Sequence, residues 1–169
     1  MLDHQEILTT LFKITQELTK NNIKYWLDGG TLLGLYRDGK IMEHDNDVDL
    51  GVFYNTDTTQ VKKIILNLGY PIENEKEGRK LTFRCPKFSI DIWGFYGENE
   101  KQYWHRAWGV GFYFKKEILD NLVLLTIDNM SFYIPSNTET YLYEIYGEGW
   151  KVPNPNFRKP EDYKNYKSV

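Results

Sequence analysis

Glu43-His44-Asp45-Asn46-Asp47-Val48-Asp49-Leu50-Gly51-Val52 places four carboxylates within seven residues and runs straight into an apolar stretch. From Asp47 onward, polar and apolar residues alternate, as they do in a strand with one wet face. Side chains repeat every two residues along a strand. If Val48, Leu50 and Val52 face the core, Asp47 and Asp49 therefore project together from the opposite face. Two carboxylates side by side repel each other and form a site for a hard divalent cation, which prefers oxygen ligands and the phosphates of a substrate. From the run alone, a solvated turn capping the strand explains these residues equally well.

Upstream, Trp26-Leu27-Asp28-Gly29-Gly30-Thr31-Leu32-Leu33-Gly34 reads as a strand ending at a Gly-Gly turn and passing into a helix over Thr31 to Arg37. A turn of this kind lets the backbone come close to a ligand and leaves N–H groups at a helix N-terminus free to hold an anion. Alone it is a weak signal, but an Asp-x-Asp strand start a short loop later strengthens it. Downstream, Ser89-Ile90-Asp91-Ile92-Trp93 repeats the alternation. Asp91 completes a carboxylate triad if its strand neighbours that of Asp47 and Asp49. Read alone, it is better explained as an outward residue on a half-wet sheet.

Working outward, apolar residues at Ile7, Leu8, Leu11, Phe12, Ile14 and Leu18 predict a helix from Asp3 to about Asn21, with Asp3 and Glu6 as a capping box. Ile23 to Leu27 predicts the first strand. Val61, Ile64, Ile65 and Leu68 form the face of a helix after the acidic strand. Tyr70–Asn74, Leu81–Arg84 and Phe88–Phe95 then read as strands, with a turn at Glu77-Gly78-Arg79. Leu122–Asp128 and Ser131–Ile134 predict a hairpin around Asp128-Asn129, followed by a helix capped by Ser136 and Glu139 and stopped at Gly147. From about Lys151 the chain is proline-bearing and aperiodic, which predicts an irregular tail. With neither repeat nor linker visible, residues 1–169 read as a single domain.

Composition narrows the function. The 24 acidic and 21 basic residues leave a net charge of −3, which argues against general nucleic-acid binding through a basic surface. The single cysteine, Cys85, cannot form an internal disulfide, and its neighbours suggest a packing role. MLDHQEIL lacks the features of a leader, and no stretch approaches the roughly 20 apolar residues of a membrane span. A cytoplasmic protein without a transmembrane segment is expected.

The combination Leu-Asp-Gly-Gly-Thr-Leu-Leu-Gly-Leu-Tyr-Arg (27–37) and His-Asp-Asn-Asp-Val-Asp-Leu (44–50) resembles the LicD family, which includes phosphocholine transferases and is related to fukutin-type ribitol-phosphate transferases. Ile134-Pro135, Tyr141-Leu142 and Tyr146-Gly147-Glu148-Gly149-Trp150 extend the resemblance, so it spans about Tyr25 to Pro155. It implies an α+β nucleotidyltransferase fold, a mixed β-sheet flanked by helices. It also implies transfer of a phospho-linked group from a CDP-activated donor to a glycan hydroxyl. Carried over by position, Asp47, Asp49 and Asp91 would be the metal-holding and catalytic residues, with Mg²⁺ or Mn²⁺ as the ion. Gly29, Gly30, Thr31 and Arg37 would contact the donor, Arg37 through its diphosphate or through an ion pair with the acidic loop.

Two rivals remain at this level. A nucleotidyltransferase would move NMP from an NTP to a small molecule or RNA, and a non-catalytic module would hold nucleotide or glycan without turnover. Tyr103-Trp104-His105-Arg106-Ala107-Trp108-Gly109 reads equally as a loop that stacks on a base or sugar and as an aromatic cover for the sheet. His105 alone reads as a hydrogen-bonded loop residue. Arg158, Lys159, Lys164 and Lys167 read as a solvated basic tail.

Overall fold

A computed structural model describes residues 3–53, 58–76, 79–97, 99–107, 109–154 and 156–157, together with the backbone of 166–168. Helix α1 (His4–Lys20) buries Ile7, Leu8, Leu11, Ile14, Thr15 and Leu18. Its N-cap is Asp3, whose carboxylate accepts from the Gln5 N–H at 3.0 Å. The expected reciprocal partner, Glu6, instead pairs with Lys87 across 81 residues of chain. That pairing leaves a single cap rather than a box.

Strand β1 (Tyr25–Leu27) leads to helix α2 (Gly29–Asp38), two residues longer at its start than the apolar pattern indicates. The extension is caused by Asp28, an N-cap whose carboxylate accepts from the Gly29 N–H at 2.8 Å. At the far end, Gly39 closes the helix in the left-handed region, at φ 67°. Strand β2 (Asp47–Phe53), helix α3 (Thr58–Asn67) and strands β3 (Ile72–Lys76), β4 (Lys80–Arg84) and β5 (Ser89–Gly97) follow in the expected order. Glu77 and Gly78 of the anticipated turn lie outside the described residues.

The segment weighed as loop or sheet cover is a hairpin of two strands, β6 (Gln102–Ala107) and β7 (Val110–Lys115). Trp108 lies outside the described residues. After a short helix α4 (Lys116–Leu119), strands β8 (Leu122–Ile127) and β9 (Met130–Pro135) pair around Asp128 and Asn129. Both turn residues have positive φ, 48° and 63°, the requirement of a type I′ turn, and Asp and Asn tolerate it best after glycine. Helix α5 (Thr138–Tyr146) is capped by Asn137, which accepts from the Thr140 N–H at 3.4 Å; Ser136 sits one residue too early to do so. The tail is not wholly irregular. Glu148–Lys151 makes one 3-10 turn, and strand β10 (Tyr166–Ser168) pairs antiparallel with β7, a backbone pairing that carries no apolar periodicity in the sequence.

The main sheet is mixed, in the order β1-β2-β5-β6-β7-β10, with β4 and then β3 branching from the first half of β5. Among the described residues its one parallel pair joins β2 to β5, with Asp49 opposite Asp91. Val48, Leu50, Val52, Ile90 and Ile92 are all at most 2% exposed, so the alternation sends them into the core and turns Asp47, Asp49 and Asp91 to the other face. Further along this second face Trp26 lies over Gly51. A Cβ at residue 51 would stand 2.2 Å from Trp26 Cε2, so only glycine leaves the indole its place. Trp26 packs there against Phe53 and Phe95, with ring centroids 5.0 and 4.9 Å away. One face of β2 and β5 thus begins acidic and ends aromatic.

Candidate active site

Three elements converge where β2 and β5 begin. Parallel register puts Asp49 beside Asp91, and the two-residue repeat puts Asp47 beside Asp49. Each of the three offers a carboxylate oxygen, and those oxygens lie within 4.8 Å of one another. The β1–α2 turn holds this pair of strands from the side. Asp28 N–H donates to the Asp49 carbonyl at 3.0 Å, and Asp49 N–H donates to Thr31 Oγ1 at 2.8 Å. Thr31 is thus engaged in fixing the Asp49 backbone.

Gly29 sits at φ +51°, a conformation costly for any side chain, and a Cβ there would lie 2.9 Å from Asp49 Oδ2. Glycine is required at this position by both backbone and space. Behind it Asp28 is 4% exposed, held between the Gly29 N–H and the Tyr141 hydroxyl, which donates to Asp28 Oδ1 at 2.5 Å. Burial pushes the Asp28 carboxyl up to about 6, against the two hydrogen bonds. Tyr141, quoted above only for its place in a motif, is therefore the strut that ties α5 to the glycine turn.

Asp49 is displaced well above the usual carboxylate range, first by burial and then by the neighbouring charges of Asp47, Asp28 and Asp91. Asp91, 2% exposed, is raised by burial as well, and Lys80 and Thr82 oppose the shift. Lys80 Nζ forms an ion pair with Asp91 Oδ2 and lies 4.6 Å from the centroid of the Trp93 ring. Trp93 in turn donates its indole N–H to Asp49 Oδ1 at 2.8 Å. Asp91 Oδ1 is buried and has no hydrogen-bond partner among the described residues. Clustered carboxylates, a sealed oxygen without a donor and an all-oxygen donor set fit a hard divalent cation.

The triad opens into a cleft of ≈ 430 Å³ whose lining includes Gly29, Gly30, Lys76, Arg79, Lys80 and Arg106. The four cations supply local positive charge in a chain of net negative charge. Lys76, Arg79 and Lys80 flank the β3–β4 connection, and only the fold reveals that it faces the acidic pair. Gly30 lines the cleft, whereas Arg37 is not part of its lining. Its guanidinium is taken by Asp38, at 2.9 and 2.7 Å, and by the Trp150 carbonyl at 3.2 Å, so it pins the 3-10 turn to α2 and makes no ion pair with the acidic loop.

His105 is a strand residue, not a loop residue, and its ring stacks on Phe95 with centroids 4.4 Å apart. Its Nδ1 is buried without a partner among the described residues, and desolvation lowers its pKa to about 3. A neutral imidazole of this kind is part of the cleft's aromatic wall. Cys85 is buried, and burial pushes its thiol up to about 12, consistent with packing.

The profile of the LicD/FKTN/FKRP nucleotidyltransferase domain matches residues 22–137, more than half of the chain and all three carboxylates. The chain belongs to the LicD/FKTN/FKRP family. It is 29% identical over 153 residues to the human ribitol 5-phosphate transferase FKRP, covering 82% of this chain and 30% of that protein. To the human ribitol-5-phosphate transferase FKTN it is 26% identical over 148 residues, 80% of this chain and 31% of that protein. An uncharacterized protein of Rickettsia typhi is 38% identical over 97 residues, 56% of this chain and 30% of its own length. The chain therefore spans about a third of the length of these relatives.

Among solved structures, the antibiotic-resistance factor ANT(2'')-Ia aligns with a TM-score of 0.61 at 16% identity, over 93% of this chain and 79% of that one. The lincosamide antibiotic adenylyltransferase LnuA aligns at 0.57 and 18% identity, over 79% and 82%. These likenesses establish the nucleotidyltransferase fold, as the mixed sheet and flanking helices do from within. Among the described residues no helix is long and apolar enough to cross a membrane.

Proposed function

We propose that this chain is the catalytic domain of a transferase that moves a phospho-linked group, phosphocholine or a phospho-alditol, from a CDP-activated donor to a glycan hydroxyl. The observation that carries the reading is the meeting of Asp47, Asp49 and Asp91 within 4.8 Å, in a cleft whose lining combines Gly29, Gly30 and four cationic side chains. The relatives FKRP and FKTN, whose names describe ribitol phosphate transfer, support the choice of group.

Asp47, Asp49 and Asp91 would hold Mg²⁺ or Mn²⁺. When bound, the ion neutralises charge on the donor phosphates and lowers the pKa of an attacking hydroxyl. The chain's own residues do the rest. Gly29 and Gly30 line the cleft with backbone alone, so neither residue's own side chain keeps a phosphate from the first turn of α2, where Asp28 already holds the Gly29 N–H. Lys76, Arg79 and Arg106 orient the diphosphate by charge. The acceptor oxygen then bonds to the phosphorus of the transferred group as the bond to the CMP oxygen breaks. CMP leaves and the hydroxyl proton passes to a nearby carboxylate or to water. Asp91 is the candidate acceptor on the β5 side.

The test incubates the protein and Mg²⁺ with CDP-choline, CDP-ribitol, CTP and ATP, each with candidate sugars, and identifies the nucleotide released. CMP from a CDP-alcohol is expected. Pyrophosphate from CTP or ATP would replace this reading with NMP transfer, and binding without turnover would replace it with a binding module.

A further inference from the structure

The triad's oxygens are not equally available. Trp93 N–H occupies Asp49 Oδ1, and Lys80 Nζ occupies Asp91 Oδ2. Lys80 also lies against the Trp93 ring, so one ammonium braces both the carboxylate of Asp91 and the donor that fixes Asp49. Asp91 Oδ1 is left buried and unpartnered among the described residues, with Asp49 Oδ2 pointing at the glycine turn. The two restrained carboxylates therefore present one oxygen each, and Asp47 alone has no hydrogen bond or ion pair among the described residues.

Two metal ions held about 4 Å apart draw on more carboxylate oxygens than one ion does. Asp49 and Asp91 each have one oxygen already taken, so the triad offers four carboxylate oxygens rather than six. Charge acts in the same direction, because the Lys80 ammonium already offsets part of the triad's negative charge and repels a further cation.

We propose that Lys80 is a positioning residue that acts as a resident second cation, fixing Asp91 and limiting the triad to one divalent ion per chain. The inference rests on the metal-holding role of the triad proposed above. Lys80 stands on β4, whose antiparallel register sets Lys80 opposite Trp93 and Thr82 opposite Asp91. That register brings the ammonium onto Asp91 from the neighbouring strand. The long stem of lysine spans the diagonal between the two positions, which a shorter side chain could not. The position is thus suited to placing a permanent charge where a mobile ion would otherwise be recruited.

The experiment titrates Mn²⁺ into the metal-free whole chain and into the Lys80→Met and Lys80→Arg variants, without nucleotide, following free Mn²⁺ by electron paramagnetic resonance. Circular dichroism of the same samples verifies folding. One Mn²⁺ per wild-type chain is expected. Lys80→Met keeps the apolar stem over Trp93 but removes the charge, and it should bind Mn²⁺ at least tenfold more tightly or take up a second ion, because a repelling cation has gone. Lys80→Arg keeps the charge and should match the wild type in stoichiometry. A wild-type stoichiometry of two, or a folded Lys80→Met variant with unchanged or weaker Mn²⁺ binding, would overturn the role of Lys80 while leaving the triad as the metal site. No Mn²⁺ binding by the wild type would overturn both.

Discussion

Replacing Tyr141 with Phe removes one hydroxyl and little volume, so the response reports chiefly on the bond between α5 and the buried Asp28. That bond is made to a carboxylate that is 4% exposed and also caps α2. A hydrogen bond to a charged group contributes about 1.5–3 kcal/mol, and one between neutral groups about 0.5–1.5. Asp28 titrates at about 6 in the folded protein, so at pH 8 it is charged and at pH 5 mostly protonated. The loss should therefore be about 1.5–3 kcal/mol at pH 8 and about half that at pH 5. For a chain of this size, at about 2–4 °C per kcal/mol, a loss of about 3 kcal/mol corresponds to a melting shift of roughly 6–12 °C. Losing the Tyr141 donor also removes an influence that lowers the Asp28 pKa, so the carboxyl should titrate above 6 in the variant. Urea unfolding followed by circular dichroism in chelator, at both pH values, measures the difference. Equal losses at pH 5 and pH 8, or none at pH 8, would show that Tyr141 does not stabilise a buried Asp28 charge.

Three further outcomes are expected. Asp49→Asn keeps an acceptor for Trp93 while relieving repulsion from Asp47, Asp28 and Asp91; the metal-free protein should melt higher, and the upward shift that Mg²⁺ gives the wild type should vanish, whereas a retained shift would place the ion elsewhere. Gly30→Val puts a Cβ 2.7 Å from Asp45 Oδ2 and 3.2 Å from Met42 Cε; both are side-chain ends that can move, so stability should fall by only about 1 kcal/mol while donor affinity drops tenfold or more, and a large melting loss with normal affinity per folded molecule would reverse that assignment. His105 has a folded pKa of about 3, below its unfolded value near 6.5, so its contribution is present above pH 6.5 and is lost as pH falls toward 3, with a slope of up to about 1.4 kcal/mol per pH unit. Asp28, raised to about 6, acts in the opposite sense, its penalty easing as pH falls through 6. His105→Phe should therefore gain stability relative to wild type between pH 6.5 and pH 4.5, and parallel denaturation profiles over that range would show that His105 is not held neutral by burial.

Much of this architecture is written in local periodicity. The alternation Asp47-Val48-Asp49-Leu50 and Ile90-Asp91-Ile92 specified two strands and which side of each was wet, because a pleated backbone admits only two sides. The face of α1, the stop at Gly147 and the Asp128-Asn129 turn were equally legible, since each depends on residues within a few positions of one another. Local signals misled where two adjacent residues competed for one role. Asn137 rather than Ser136 caps α5, and Asp28 starts α2 at Gly29, because cap choice depends on which oxygen reaches an N–H in three dimensions.

The tertiary structure alone decided what surrounds the carboxylates. Nothing in the order of residues reveals that Lys80 sits across from Trp93, that Tyr141 reaches back 113 residues to Asp28, or that Arg37 turns away to Asp38 and the Trp150 carbonyl. The aromatic run at 103–107 has no clean alternation, so its pairing into β6 and the stacking of His105 on Phe95 follow from what β5 and β7 place against it. A strand's faces follow from its own sequence, because the pleat is local. Its neighbours, the burial of its charges and the donors that meet them come from contacts between distant segments, and those exist only once the chain has folded.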